Sequence, residues 1–160
     1  MKRVIFHIDV NSAFLSWEAC YRIHHLGGTQ DLRNLVSAVG GDQEKRHGII
    51  LAKSIPAKQY KIQTGETVVS AKQKCPGLIL VPPKYDLYNR SSKAMLKLLG
   101  EYSDRIEQYS IDECFLDMTG CCADPIQTAY EIKDRVRREL GFTVNIGVSE
   151  NKLLAKMASD

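Results

Sequence analysis

Tyr109-Ser110-Ile111-Asp112-Glu113-Cys114-Phe115-Leu116-Asp117 sets two adjacent carboxylates, Asp112 and Glu113, between two short apolar runs. Before them Glu107, Tyr109 and Ile111 alternate with Gln108 and Ser110; after them Cys114, Leu116 and Met118 alternate with Phe115 and Asp117. Period-two patterning on both sides of a break predicts strand, tight turn, strand. Asp-Glu is poor hairpin chemistry, because the favoured two-residue turns want Gly or Asn. Something other than turn propensity therefore accounts for the acids. Successive residues on a strand point to opposite faces, but at a turn two neighbours can converge on one point. Two unit charges about 4 Å apart repel by about 4 kcal/mol at an effective dielectric of 20. Such a pair takes up a proton or binds a cation. A solvated acidic hairpin tip is the plain alternative, and the amino terminus weighs against it.

There, Val4-Ile5-Phe6-His7-Ile8-Asp9-Val10 is a nearly continuous apolar run interrupted by an acid near its end. It reads as a buried central strand that delivers one carboxylate at its C-terminal end. Asn11 and Ser12 then offer N-caps, and Phe14, Trp17, Tyr21 and His24 follow at helical spacing up to Gly27-Gly28. Trp17 is expected to be plain core.

The chain has 160 residues, of which 44% are apolar, enough for one well-buried domain or a domain with a lobe. No apolar run approaches a membrane span and no signal peptide opens the chain. The five cysteines form no CxxC and no histidine stands at zinc-ligand spacing, so reduced thiols, no structural zinc and a cytoplasmic location are expected. A net charge of +3 is too small to establish a nucleic-acid partner, but its distribution is uneven. Residues 40–75 carry seven bases and three acids, whereas residues 101–124 carry seven acids and one base, Arg105. A basic segment beside an acidic one suits a polyanion held against metal-binding carboxylates.

Strands are expected at 35–39, 48–53 and 78–81, with a short helix at 56–61 and another at 68–75. A long helix is expected from about Tyr85, with Leu87, Ser91, Met95, Leu98 and Tyr102 on one face. Asp124-Pro125 starts a helix whose stripe is Ala129, Ile132, Val136 and Leu140, supported by Glu131–Arg135 and Asp134–Arg138 pairs and stopped by Gly141. A strand at 143–147 follows, and Ser149 is expected to cap a last helix carrying Lys152 and Lys156. With residues 13–80 set aside, the order is strand, helix, two-strand hairpin, helix, strand, helix. That gives an α+β fold of ferredoxin type, an antiparallel sheet with helices on one face, into which a small α/β lobe is inserted. Asp9 and the Asp112-Glu113 turn can then lie on adjacent central strands.

The segments IDVNSAF (8–14), LAKS (51–54) with AK (57–58), Tyr60, Ile62 and TGE (64–66), VPPKYDLY (81–88), YSIDECFLDMTG (109–120) and VNIGVSENKLLAKMA (144–158) occur in one order. In that order and spacing they resemble the Y-family translesion DNA polymerases, most nearly the bacterial polymerase IV and UmuC-like group. The resemblance runs from Val4 to the last residue. It implies a polymerase palm from residues 1–12 and 81–160 and a fingers lobe from 13–80. It implies template-directed transfer of deoxynucleotides to a primer 3′-hydroxyl, often across damaged bases. Asp9, Asp112 and Glu113 match the family's catalytic, metal-binding carboxylates, joined by the backbone carbonyl of Val10. They would hold two Mg²⁺, for which Mn²⁺ can substitute, about 4 Å apart. Phe14 matches the ring that excludes a 2′-hydroxyl. Backbone amides of Asn11, Ser12, Ala13 and Phe14 would meet the triphosphate, with Ser54 and Lys58 completing the nucleotide contacts. Lys152 and Lys156 would face DNA. The implied partners are primer-template DNA and dNTP, with a sliding clamp reached through a C-terminal region beyond this chain; no membrane is involved and a monomer is expected.

Two departures bear on this. The family usually has Tyr, an acid, Ala and Arg where this chain has Ile55, Pro56, Ala57 and Lys58. Ile55 offers no hydroxyl, Pro56 removes a backbone donor, and Lys58 is a point charge without Arg's bidentate fork. The family also continues into a thumb and a little finger, so the chain reads as a palm-and-fingers fragment, expected to be weakly active or inactive alone. Two alternatives compete. Gly40-Gly41-Asp42-Gln43-Glu44 superficially resembles the loop of diguanylate-type nucleotidyl cyclases, and a non-catalytic binding module could keep the palm shape as a scaffold.

Overall fold

A computed structural model describes residues 2–41 and 48–160. Asp42, Gln43 and Glu44 of the cyclase-like segment lie outside the described residues. In chain order the elements are β1 (Ile5–Val10), α1 (Ala13–His24), β2 (Ser37–Gly40), β3 (Ile50–Lys53), α2 (Val68–Lys74), β4 (Ile79–Val81), α3 (Tyr85–Leu99), β5 (Ile106–Gln108), β6 (Glu113–Asp117), α4 (Pro125–Arg135), β7 (Val144–Ser149) and α5 (Lys152–Ser159). They fall into two compact units, Met1–Asn11 with Asn89–Asp160, and Ser12–Tyr88.

The first unit is built on a four-stranded sheet in the order β5-β6-β1-β7, antiparallel at every pairing. Its two central strands are the apolar run at the amino terminus and the second arm of the acidic hairpin. Alternation assigns the two faces. Phe6, Ile8, Cys114 and Leu116 point one way and are fully buried, as are Met95 and Leu99 of α3, Ile132 of α4 and Val136 just after it. Ile5 and Phe115 point the other way and pack on Ala155 of α5. The sheet is therefore covered on its second face too, by α5. Gly147 permits that closeness: a Cβ there would stand 1.9 Å from the Ala155 carbonyl oxygen.

Several helix ends follow the sequence signals and others do not. Asp124 caps α4 as expected, its side chain accepting from the Gln127 amide. The helix then passes into a π-helical turn, Val136–Leu140, and ends at Gly141 with φ 89°. Glycine suits that left-handed stop. Ser149 does not cap α5; it ends β7, and Asn151 accepts from the Leu154 amide instead. The Asp134–Arg138 pair forms, but Arg135 turns from Glu131 to Glu139 and Glu101.

The second unit carries the sheet β3-β2-β4, with β2 antiparallel to β3 and parallel to β4. Val39 pairs with Ala52 and Gly40 with Ile50, so Leu51 is an extra residue. Such a bulge breaks the alternation. It sends Ile50 to the cluster around Ala38, Ile62, Val68 and Leu78, and Ala52 to the one around Leu15, Ala19 and Val81. Among the described residues no helix is long and apolar enough to cross a membrane.

Candidate active site

The site is assembled by the register of two strands. Asp9 of β1 stands directly opposite Glu113 of β6 and, on its other side, opposite Asn145 of β7. Opposed residues of antiparallel strands share a face, with Cβ atoms about 4.5–5.5 Å apart. The acids therefore meet across the sheet and not at a hairpin tip. Glu113 is the first residue of β6, and only Asp112 belongs to the turn, which spans residues 109–112. Both ends of that turn are tied. The Asp112 carbonyl accepts from the Val10 amide at 3.0 Å, and the Glu113 carbonyl accepts from the amides of Tyr109 and Ser110. Ser92 on α3 donates to the Ile111 carbonyl at 2.6 Å.

Side chains complete the arrangement. Ser110 Oγ lies 2.8 Å from Asp112 Oδ1 and 3.1 Å from Glu113 Oε2. One hydroxyl within reach of both carboxylates shows that they converge. Glu113 Oε1 takes Lys156 Nζ at 2.6 Å and lies 3.2 Å from His7 Nε2, although that nitrogen lacks hydrogen-bond geometry. His7 is fully buried, tilted against the Phe115 ring, with Nδ1 on the Ser159 hydroxyl. Burial holds its imidazole below the ordinary range, with Glu113 pulling the other way. Burial also pushes Glu113 up, but the hydrogen bonds from Lys156 and Ser110 more than reverse it.

Asp9 is the exception. Its pKa is pushed up to about 6, first by burial, then by the charges of Asp112 and Glu113. Among the described residues it has neither an ion pair nor a hydrogen bond for its carboxylate, and no three His, Cys, Asp or Glu side chains form a ready-made metal cluster. Lys156 pairs directly with Glu113, and at Asp9 its charge only partly offsets burial and the repulsion of Asp112 and Glu113.

The remaining expected residues fall as follows. Val10 ends β1 with its amide on Asp112. Asn11 donates its amide to the Thr143 carbonyl and its side-chain Nδ2 to Thr143 Oγ1, with Asn145 Oδ1 at 3.5 Å. Ser12 precedes α1 in the left-handed region, φ 45°, and makes no side-chain cap, so the capping role expected of it is not filled. Ala13 is buried and Phe14 partly so. The Phe14 ring is stacked on Tyr88, centroids 4.4 Å apart and planes 7° apart, with Tyr85 edge-on at 6.1 Å. Ser54 is buried, its hydroxyl accepting from the Ser37 and Ala57 amides, while Lys58 is exposed. Lys152 is ion-paired with Glu107 as Lys156 is with Glu113, so both lysines expected to face DNA are held by carboxylates. Sequence reasoning did not find His7, Ser92 or Ser110. A histidine inside a buried strand was the signal for the first; the serines carried none.

The sequence profile of the impB/mucB/samB family matches residues 8–160. The chain is 50% identical over 162 residues to the DNA polymerase IV of Clostridium acetobutylicum, covering 100% of this chain and 41% of that protein. It is 42% identical over 160 residues to DNA polymerase IV 1 of Bacillus subtilis, covering 99% and 37%. Among solved structures, DinB from Sulfolobus solfataricus superposes with a TM-score of 0.85 at 26% identity, covering 98% of this chain and 45% of that one. The insertion ternary complex of Dbh DNA polymerase gives 0.86 at 26% identity, with the same coverage. The chain thus spans about two fifths of the length of the curated relatives it matches.

Proposed function

Because the chain belongs to the impB/mucB/samB family of Y-family polymerases, we propose that it is the palm-and-fingers portion of a translesion DNA polymerase that adds dNTPs to a primer 3′-hydroxyl. The observation that carries this reading is the row Asp9–Glu113 across β1 and β6, with Asp112 beside it and Asp9 pushed up to about 6. A carboxylate raised by two neighbouring carboxylates is a surplus of negative charge, and a cation relieves it.

The donor set fits Mg²⁺ or Mn²⁺: carboxylate and carbonyl oxygens are the hard ligands these ions take, with places left for substrate phosphates. Asp9 and Asp112 would be shared ligands, with Glu113 and the Val10 carbonyl completing the set. When bound, two such ions stabilise charge on the attacking and leaving oxygens of phosphoryl transfer together. The protein's own groups prepare the place. Ser110 orients Asp112 and Glu113. Lys156 balances the charge of Glu113 through Oε1. His7, neutral and buried, backs Glu113 without adding a competing charge. In the second unit, Phe14 would exclude the 2′-hydroxyl and Lys58 would meet the nucleotide phosphates as a single point charge. The partners would be primer-template DNA and dNTP.

In a protein of the relatives' full length that carries this sequence, Asp112→Ala should lower primer extension by about a thousandfold or more, roughly 4 kcal/mol of barrier, while the melting temperature holds. Extension within tenfold of wild type would sink the carboxylate assignment. Polymerase relatives set aside the cyclase reading; product analysis with GTP and no DNA separates the two.

A further inference from the structure

Ser92 lies buried in the interior of α3, where a serine ordinarily turns to solvent or bonds the carbonyl four residues back. Its hydroxyl instead leaves the helix. It donates to the Ile111 carbonyl at 2.6 Å, 19 residues on, and accepts from Gln108 Nε2 at 3.4 Å. A hydroxyl has one hydrogen to give, and this one goes to the backbone of the acidic turn.

Of the three acids, Asp9 and Glu113 have their backbones set by ladder pairing, opposite each other on β1 and β6. Asp112 stands on the turn 109–112 and has no ladder partner. The end of that turn is held by two bonds, the Val10 amide on the Asp112 carbonyl at 3.0 Å and Ser92 on the Ile111 carbonyl. Ser110, which reaches both carboxylates, belongs to the turn and moves with it. Among the described residues, Ser92 is the one side chain outside the turn that bonds the turn's backbone. A second serine gives the comparison. Ser103, shortly after α3, is also buried; its hydroxyl donates to the Asp117 carbonyl at 2.8 Å and accepts from the Arg105 amide at 3.1 Å. The two bonds are alike in chemistry and hold the hairpin at opposite ends of β6, but only the Ser92 bond adjoins the carboxylates.

We propose that Ser92 is a positioning residue for the metal ligands: by fixing the Ile111 carbonyl against α3, it sets where the Asp112 carboxylate stands beside Asp9 and Glu113. This role rests on the reading of those three acids as ligands of Mg²⁺ or Mn²⁺. Small hard cations hold their oxygens at closely defined distances, so a turn free to pivot about the Val10 bond alone binds them less well. A plain anchor would lower stability when removed and leave metal binding as it was.

The test compares Asp112→Ala, Ser92→Ala, Ser92→Thr and Ser103→Ala in a protein of the relatives' full length carrying this sequence. The readouts are Mn²⁺ affinity by electron paramagnetic resonance without nucleotide or DNA, the melting temperature in EDTA, and the Mg²⁺ concentration that half-saturates primer extension. Ser92→Ala should weaken Mn²⁺ binding about tenfold and raise the half-saturating Mg²⁺ in step, while Ser92→Thr, which keeps the hydroxyl, should stay within about twofold of wild type. Ser103→Ala should lower the melting temperature as Ser92→Ala does and leave both metal readouts unchanged. If Asp112→Ala binds Mn²⁺ like wild type, the ligand reading falls and the role of Ser92 falls with it. If Asp112→Ala loses Mn²⁺ while Ser92→Ala keeps it, Ser92 alone is overturned and is an anchor of stability. Equal weakening by Ser92→Ala and Ser103→Ala, or no recovery in Ser92→Thr, also overturns it, since the cause is then the whole hairpin or the space the residue fills. Should Ser92→Ala fail to fold, Ser92→Cys decides, since it keeps the volume and gives up most of the donor strength: an unchanged Mn²⁺ affinity overturns the proposal.

Discussion

At Asp9 the environment works against the charged form that a carboxylate ordinarily prefers. Its carboxyl is pushed up to about 6 from an ordinary 3.8. A group whose pKa is raised by folding favours the fold in its protonated form. That contribution is fully present below about pH 4 and is lost as the pH rises through 6. In EDTA, Asp9→Asn should therefore raise the melting temperature at pH 7.5 and change it little at pH 4. Adding Mg²⁺ should stabilise the wild-type chain more at pH 7.5 than at pH 5, and Asp9→Asn should lose that response. Thermal melts across the four conditions check both. An Asp9→Asn variant equally destabilised at both pH values would mean that Asp9 is held by favourable contacts and not strained by its neighbours.

Among the elements, α5 links the fold to the site. It brings Lys156 to Glu113, Lys152 to Glu107 and Ser159 to His7, and it can approach the sheet because β7 has no side chain at Gly147. A Cβ there would meet only backbone, the Ala155 oxygen at 1.9 Å and the Ser159 nitrogen at 2.5 Å. Backbone cannot swing aside as a side chain does. Gly147→Ala should cost about 3 kcal/mol or more by overpacking and shift α5 outward. Denaturant melts measure the first effect. The second would appear as faster amide exchange in Lys152–Ser159, and unaltered exchange would show that the sheet, not the helix, gives way.

At the scale of the molecule, DNA affinity comes mainly from neutralised phosphates. Lys152 and Lys156, the two lysines expected to face DNA, are paired with acids, and Lys53 of the basic segment donates to the Ile62 carbonyl at 2.8 Å. Lys58 and Lys61 are exposed. With one or two phosphates neutralised, log K should fall with log[salt] at a slope of about 1 to 2, since each phosphate contributes roughly 0.9. The 160-residue chain should accordingly bind primer-template weakly and extend it far more slowly than a protein of the relatives' full length. Fluorescence anisotropy across a salt series and a parallel extension assay measure both. A slope of 5 or more, or matched extension rates, would show that these 160 residues grip DNA by themselves.

The sequence by itself determined the strands, most of the helix limits and the family. Alternating runs flanking Asp112-Glu113 and the apolar run before Asp9 are local patterns, and so are the proline start and glycine stop around 125–141. Strand period then fixed which residues share a face, so the meeting of Asp9 and the hairpin acids on adjacent strands was legible from pattern alone. Only the tertiary structure decided who partners whom. Lys156 reaches Glu113 across 43 residues of sequence, and His7 meets Ser159 across 152. Arg135 chose Glu139 and Glu101 over the equally spaced Glu131. Glu18, a charged residue of α1, is fully buried and takes Arg22 and Lys84 on one oxygen. Local propensity reads the backbone one turn or one pleat at a time. Charge pairing depends on the distances between elements, and those exist only once α5 and α3 have packed.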